Sequence, residues 1–220
     1  MKFDQLIRVA VVTGGHSFNV VEFHDLFGRL SGIQAYIQHM DDFATSSLRV
    51  RNNYDVILFY TMLLDGPTDD GLEWYQGKPK SVLENLGQTD QGIFILHHSI
   101  LAYRNWPIWG EIVGFDDLTH DVAMNQEISV QVTSPRHPIT SGLSDWKMAD
   151  ETYNMKIPLP DSEILLTTDH PKSMKVLAWV RRYQKSRVFC FQSGHDSQAW
   201  QNQNFVTVLQ RGIQWCAKKI

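Results

Sequence analysis

A chain of 220 residues, 43% hydrophobic and 11% aromatic, can bury one sizeable core without disulfide or metal staples. Its formal charge of -4 at pH 7 comes without any block of like charges, which excludes the basic footprint of nucleic-acid and membrane-surface binders and favours small-molecule chemistry. Met1 to Leu6 has neither the basic nor the apolar region of a secretory signal, and no apolar run approaches the length of a membrane span. A cytoplasmic chain forming one domain over residues 1–220 is expected.

Leu6 to Val12 is a β-branched run closed by Thr13-Gly14-Gly15, the pattern of a strand buried on both faces before a tight turn. Val20, Phe23, Leu26, Phe27 and Leu30 then recur at helical spacing, with Gly32 as the stop. Gly32 to His39 alternates as a more exposed strand, and Asp55 to Tyr60 is apolar after its first residue. Past the loop at Asp65-Gly66-Pro67, a short helix within residues 79–86 leads to a strand at Gly92 to Leu96. Such alternation implies parallel strands joined by right-handed crossovers. Pro107 sits in the first turn of a further helix, with Gly114 just past its end. Beyond it the pattern changes. Ile128 to Val132 alternates as an antiparallel or edge strand does, Ser134 to Gly142 is irregular, and strand-like runs follow at Ile164 to Thr168, Lys175 to Val180 and Arg187 to Phe191. Asn204 to Cys216 closes the chain as a helix. Cys190, in the last strand, and Cys216, on the apolar face of that helix, read as reduced core residues rather than nucleophiles.

Three of these strands end in histidine: His16 after the first, His97-His98 after the fourth, His195 after the last. If the strands are parallel, their carboxyl ends share one edge, where open α/β sheets place a ligand crevice. Taken alone, His16 reads best as a turn histidine bonded to backbone, with base, hydroxyl-binding or metal-ligand roles as alternatives. Gly15 and its neighbours form a turn whose backbone N–H groups could hold an anion or a polar oxygen. His97 is expected to face the pocket with His98 packed behind it, at a turn that exposes a side chain above the sheet. In Gly194-His195-Asp196, His195 is the catalytic candidate and Asp196 reads as a helix cap. Glu151, within Asp150-Glu151-Thr152-Tyr153, could serve two imidazoles as acid, base or metal ligand. Tyr103, Trp106, Trp109 and Trp200 follow candidate strand ends, where an aromatic face could stack on a sugar ring; Trp106 and Trp109 are three apart, so one of them belongs to the core.

The motifs Val11-Val12-Thr13-Gly14-Gly15-His16, Tyr54-Asp55-Val56-Ile57, Ile93 to His98, Ser134-Pro135-Arg136-His137-Pro138-Ile139, Ser141-Gly142-Leu143, Asp150-Glu151-Thr152-Tyr153 and Arg187-Val188-Phe189 through Gly194-His195-Asp196 occur in this order. In that order the chain resembles the ThuA-like, trehalose-utilisation proteins over nearly its whole length. The resemblance implies a class I glutamine amidotransferase-like, flavodoxin-like three-layer α/β fold, with a mainly parallel central sheet and an added antiparallel segment, and a link to carbohydrate utilisation. Amidotransferases of that fold carry a cysteine nucleophile on the turn held here by His97-His98, so glutaminase activity is not expected. His195 falls near the position of that superfamily's histidine.

The expected protein is therefore a sugar-processing enzyme or enzyme-like protein of carbohydrate utilisation, of the hydrolase or isomerase kind if an enzyme, acting on a small sugar or oxidised (3-keto) glycoside by histidine acid/base chemistry. His97, His195 and Glu151 would be catalytic, and His16, Gly15, His98, Tyr103, Trp106 and Trp200 would bind substrate. Two alternatives stand beside it. The same His/Glu cluster could hold a divalent metal such as zinc, although no cofactor is firmly implied and no compact ligand motif is present. Or the chain is a non-catalytic sugar-binding module. A small carbohydrate is the expected partner, neither nucleic acid nor membrane is, and the aromatic content is compatible with a homo-oligomer.

Overall fold

A computed structural model describes residues 6–220; the polar segment 1–5 lies outside the described residues. In chain order the elements are β1 (Ile7–Gly14), α1 (Val20–Gly28), β2 (Ile33–His39), α2 (Met40–Thr45), α3 (Leu48–Arg51), β3 (Val56–Thr61), α4 (Pro79–Glu84) and β4 (Gly92–Leu96). A 3-10 turn (His97–Leu101) leads to α5 (Pro107–Val113), β5 (Asp121–Val132), β6 (Trp146–Asn154), β7 (Glu163–Thr167), β8 (Val176–Tyr183), β9 (Ser186–Phe191), α6 (Ser197–Trp200) and α7 (Gln203–Cys216). The strands form one sheet in the order β2-β1-β3-β4-β9-β8-β7-β5-β6. The first five of that order run parallel, and the remaining pairings are antiparallel.

The central strands are apolar without alternation because both of their faces are covered. On one face Val9, Val11, Leu58 and Phe94 pack with Phe23 of α1 and Phe205 and Leu209 of α7. On the other, Ala10, Val12, Phe59 and Ile95 pack with Phe43 of α2, Leu83 of α4 and Trp109 of α5. Three layers result, with β1, β3, β4 and β9 consecutive in the interior of the sheet. Local chemistry sets the boundaries: Asn19 caps α1, Pro107 occupies the first turn of α5, and Gly114 ends α5 in the left-handed region at φ 93°.

Some elements depart from the sequence expectation. β5 begins at Asp121, not Ile128, and its first half is mostly exposed with a register shift between Ala123 and Gln126. β6 covers a stretch that shows no strand signal beforehand, because Asp150 and Glu151 occupy buried positions where apolar residues would announce a strand. The short helices α2 and α3 likewise carry too few turns to show a period. β6 closes one end of the sheet, and its outer edge is occupied: the Lys147 carbonyl accepts from the Asn202 amide, that of Glu151 from the Gln192 amide, and that of Tyr153 from the Met174 N–H.

α7 approaches the sheet at Gly212, where an added Cβ would lie 2.3 Å from the Phe189 ring and 2.9 Å from Phe94. Gly212→Ala should therefore lose about 1–3 kcal/mol through overpacking, outweighing the gain of about 1 kcal/mol that alanine brings to a helix interior. Urea unfolding reads this directly: a lowered midpoint is expected, and an unchanged or raised one refutes the close contact.

Candidate active site

The strand-to-turn junction after β4 places His97 at φ 54°, a left-handed conformation unusual for a residue with a side chain. Strand β4 ends there and the 3-10 turn begins at once, so the imidazole stands at the carboxyl edge, fully buried. Its Nδ1 lies 2.7 Å from the Gln192 carbonyl. A carbonyl only accepts, so Nδ1 carries the proton and Nε2 presents its lone pair in the neutral ring. Around that Nε2 converge the Tyr153 hydroxyl at 2.7 Å, His195 Nδ1 at 3.2 Å and Glu151 Oε1 at 3.5 Å. Glu151 Oε2 is 3.4 Å from His195 Nδ1. Donor atoms of His97, Glu151 and His195 all fall within 4.8 Å of one another, a cluster that could hold a metal ion.

β6 supplies Glu151 and Tyr153, and the loop after β9 supplies His195. Asp150 joins the two. Its carboxylate accepts from the N–H groups of Gly194 at 2.8 Å, His195 at 3.0 Å and Glu151 at 2.9 Å. From the other side the Tyr60 hydroxyl donates to the His195 carbonyl at 2.8 Å, and the Trp200 indole N–H to the Gly194 carbonyl at 2.9 Å. Gly194 adopts φ 122°, which glycine alone takes easily. Burial pushes the Asp150 carboxyl up, against the opposing pull of His97 and the three N–H donors. Burial also acts to raise Glu151, but the hydrogen bond and charge of His97, with Tyr153 and His195, bring it below the ordinary range. The Tyr153 hydroxyl is held far above its usual value, first by burial and then by Glu151, so it remains a proton donor.

His16 and His98 complete the imidazole group. The His16 ring is 4.6 Å from His98 and 5.6 Å from His195 between centroids, and His98 is 5.2 Å from His97. His98 packs behind, against Tyr60 at 4.3 Å, and neither of its ring nitrogens has a hydrogen-bond partner of good geometry, although the Thr61 backbone lies close enough to favour its proton slightly. Burial, then the neighbouring imidazoles, push its pKa down to about 2, so the ring is neutral. Burial and His195 also lower His16, which is half-buried.

The structure thus brings His16, His97, His98, His195 and Glu151 to one place, and separates other residues from it. Gly15 does not open a helix: residues 16–19 intervene before α1, and its Cα packs against the Met62 backbone, where a Cβ would sit 2.6 Å from the carbonyl oxygen. The turn therefore does not lead directly into a helix N-terminus. Tyr103 and Trp200 are enclosed at 2% and 1% exposure and offer no face to a sugar. Trp109 belongs to the core, whereas Trp106 is half-buried and lines a cleft. Asp196 caps α6, its side chain accepting from the Gln198 N–H. Cys190 and Cys216 are fully buried, and burial raises both thiols. Sequence reasoning missed Tyr153 and Asp150 as working members of the site. Their proximity to Glu151 in the chain was visible, but without β6 as a strand nothing aimed Tyr153 at His97 or Asp150 at the β9 loop.

The family model described as ThuA, trehalose utilisation, matches residues 8–216. Among solved structures, a putative ThuA-like protein from Parabacteroides merdae aligns with a TM-score of 0.73 at 18% identity, over 97% of this chain and 91% of that one. A protein from Salmonella typhimurium described as cytoplasmic gives 0.68 at 15% identity, over 94% and 98%. A glutamine amidotransferase from Thermotoga maritima gives 0.53 at 10% identity, over 96% and 98%. At these identities the likeness is one of fold, and it places the chain among the glutamine amidotransferase-like, flavodoxin-like architectures. No curated protein matches the chain.

The His98 environment has a measurable consequence. Its folded pKa lies below the unfolded 6.5, so the unfolded chain binds a proton that the folded chain refuses. Its contribution to stability is whole above about pH 6.5 and drains as pH falls, by at most about 1.4 kcal/mol per pH unit. His98→Phe should flatten the fall in unfolding free energy between pH 7.5 and 5.5 by up to one proton's slope, whereas an identical slope in denaturant melts would place the charge elsewhere.

Proposed function

Since the chain belongs to the ThuA, trehalose-utilisation family, we propose that it is a sugar-processing enzyme of carbohydrate utilisation, acting on a small sugar or oxidised (3-keto) glycoside by histidine acid/base chemistry. The observation that supports this is the meeting of the His97 imidazole, the His195 imidazole, the Glu151 carboxylate and the Tyr153 hydroxyl within hydrogen-bond and ion-pair reach. His195 is half-buried and engages the cluster through Nδ1, which leaves Nε2 for substrate. Beside a keto group, an unprotonated imidazole removes the proton from the adjacent carbon, and charge develops on the carbonyl oxygen. A hydroxyl with a raised pKa, such as Tyr153, donates to that oxygen or restores a proton through His97. Returning the proton to the former carbonyl carbon, as the neighbouring hydroxyl gives up its proton and becomes the new carbonyl, isomerises the sugar; delivering a proton to the glycosidic oxygen as its C–O bond breaks releases the leaving sugar and leaves an unsaturated keto ring, to which water adds. Glu151, held ionised by its neighbours, favours the imidazolium formed in the first step. Two buried thiols and a histidine at the nucleophile turn leave no cysteine for glutamine hydrolysis. A cytoplasmic location, as described for the Salmonella neighbour, suits reduced cysteines.

A second reading is favoured by one geometric fact. Zinc bound tetrahedrally at about 2.0–2.1 Å has ligand atoms about 3.3–3.4 Å apart; His97 Nε2 and His195 Nδ1 are 3.2 Å apart, and they lie 3.5 and 3.4 Å, respectively, from different oxygens of the Glu151 carboxylate. The His97 Nδ1–H donated to a carbonyl is the orienting bond that metal-bound imidazoles use. His97, Glu151 and His195 would hold such an ion, which when bound supplies a Lewis acid for a substrate carbonyl or hydroxyl.

His195→Ala should lower turnover of 3-keto-glycosides by roughly 10²- to 10⁴-fold, the usual worth of a positioned acid or base. Unchanged turnover removes His195 from the mechanism, and calorimetric binding of sugars without turnover by the wild type would make the chain a binding module. Metal analysis of protein purified without an affinity tag separates the two chemistries. Stoichiometric metal, lost with activity on chelation and restored by zinc, favours the second reading; a metal-free, fully active protein eliminates it.

A further inference from the structure

Beside the histidine cluster lies a cleft of about 700 Å³ between α5 and the start of β5, reaching Leu159 after β6. That volume falls within the range of small-molecule sites, about 300–1,000 Å³. Trp106 and His120 line it together with Phe115, Leu118, Arg104 and Asp116. His120 links cleft and cluster. Its Nδ1 is engaged with the Leu118 carbonyl at 2.8 Å, and its ring lies edge-on to Tyr153, 5.9 Å between centroids. Tyr153 in turn places its hydroxyl 2.7 Å from His97 Nε2. The pairing of Val122 with Tyr153 ties the two sites to adjacent positions of one strand pair.

We propose that this cleft is a second sugar subsite, which receives the leaving ring of a neutral glycoside while the ring being transformed sits at His195 and His97. The proposal rests on the acid/base reading above. A half-buried indole offers a broad apolar face for a pyranose ring, and the carboxylate and guanidinium around it suit pairs of neighbouring hydroxyls. The charge on the walls selects further. Glu111, Asp116 and Asp117 line the cleft against one arginine, Arg104, and Asp117 is already paired with Lys156 at 3.1 Å. A phosphorylated ring would meet like charge there, whereas a neutral one would not.

Trp106→Ala and the exposed-site variant Asp116→Ala, each checked for folding by thermal melts, test the assignment with 3-keto-trehalose, 3-keto-glucose and trehalose 6-phosphate as probes. The expected result is a rise of roughly tenfold in KM, or in the calorimetric Kd, for 3-keto-trehalose in Trp106→Ala. The calorimetric Kd of one-ring 3-keto-glucose, which does not reach the cleft, should change by less than about twofold. Asp116→Ala should weaken 3-keto-trehalose by a smaller factor and narrow the preference over trehalose 6-phosphate. Equal effects on one-ring and two-ring sugars, no effect on either, or a wild type that binds no two-ring sugar would overturn the subsite. Binding is read independently of turnover, so loss of the cleft effect in an active enzyme refutes the subsite alone. Absence of turnover with the calorimetric difference intact refutes the acid/base reading and keeps the cleft as a sugar site.

Discussion

The buried carboxylate of Asp150 is the constraint on which the site depends. Burial disfavours its charge, and three backbone N–H donors oppose that penalty. Two of those donors belong to Gly194 and His195 at the end of β9, and the third to Glu151 on β6. One side chain thereby fixes an antiparallel strand at the sheet's end to the carboxyl edge of its parallel half. Glu151 and His195 are carried by elements that are not neighbours in the sheet, and this tie, with the Gln192 amide on the Glu151 carbonyl, brings them together. The Tyr60 and Trp200 bonds to the same loop complete the grip from the opposite side.

The parallel half of the fold is legible in the sequence because its physics is simple. A strand buried on both faces has to be apolar throughout, as Val9 to Val12 and Ile93 to Leu96 are, and the turns that end such strands share one edge. That reasoning suffices to gather His16, His97 and His195. It fails for β6, where the site displaces the apolar residues that mark a strand: Asp150 and Glu151 are buried beside hydrogen-bonding partners and imidazoles rather than in an apolar core. It fails also for Tyr103 and Trp200, since an aromatic residue following a strand end serves equally well inside the protein, and only the packing decides. Trp106 and Trp109 show both outcomes three residues apart.

The site also shows how one scaffold changes chemistry. The turn after β4 holds His97 in a left-handed conformation that aims its side chain over the sheet. That geometry delivers a fully buried imidazole to the cluster, its Nε2 beside Tyr153, His195 and Glu151. Behind it, His98 is kept neutral by burial, which lets imidazoles crowd together without the repulsion of several positive charges. Glu151 and Tyr153, one an acceptor and the other a donor, supply the polarity the rings need.

The occupied outer edge of β6 reaches beyond the site. A bare terminal strand offers alternate carbonyls and amides as a template on which another chain can zip. Here the carbonyls of Lys147, Glu151 and Tyr153 already receive protons from Asn202, Gln192 and Met174. Fibril-like growth along this margin would have to strip away those internal donors first. Contacts that help assemble the histidine and carboxylate cluster thus double as a guard against aggregation.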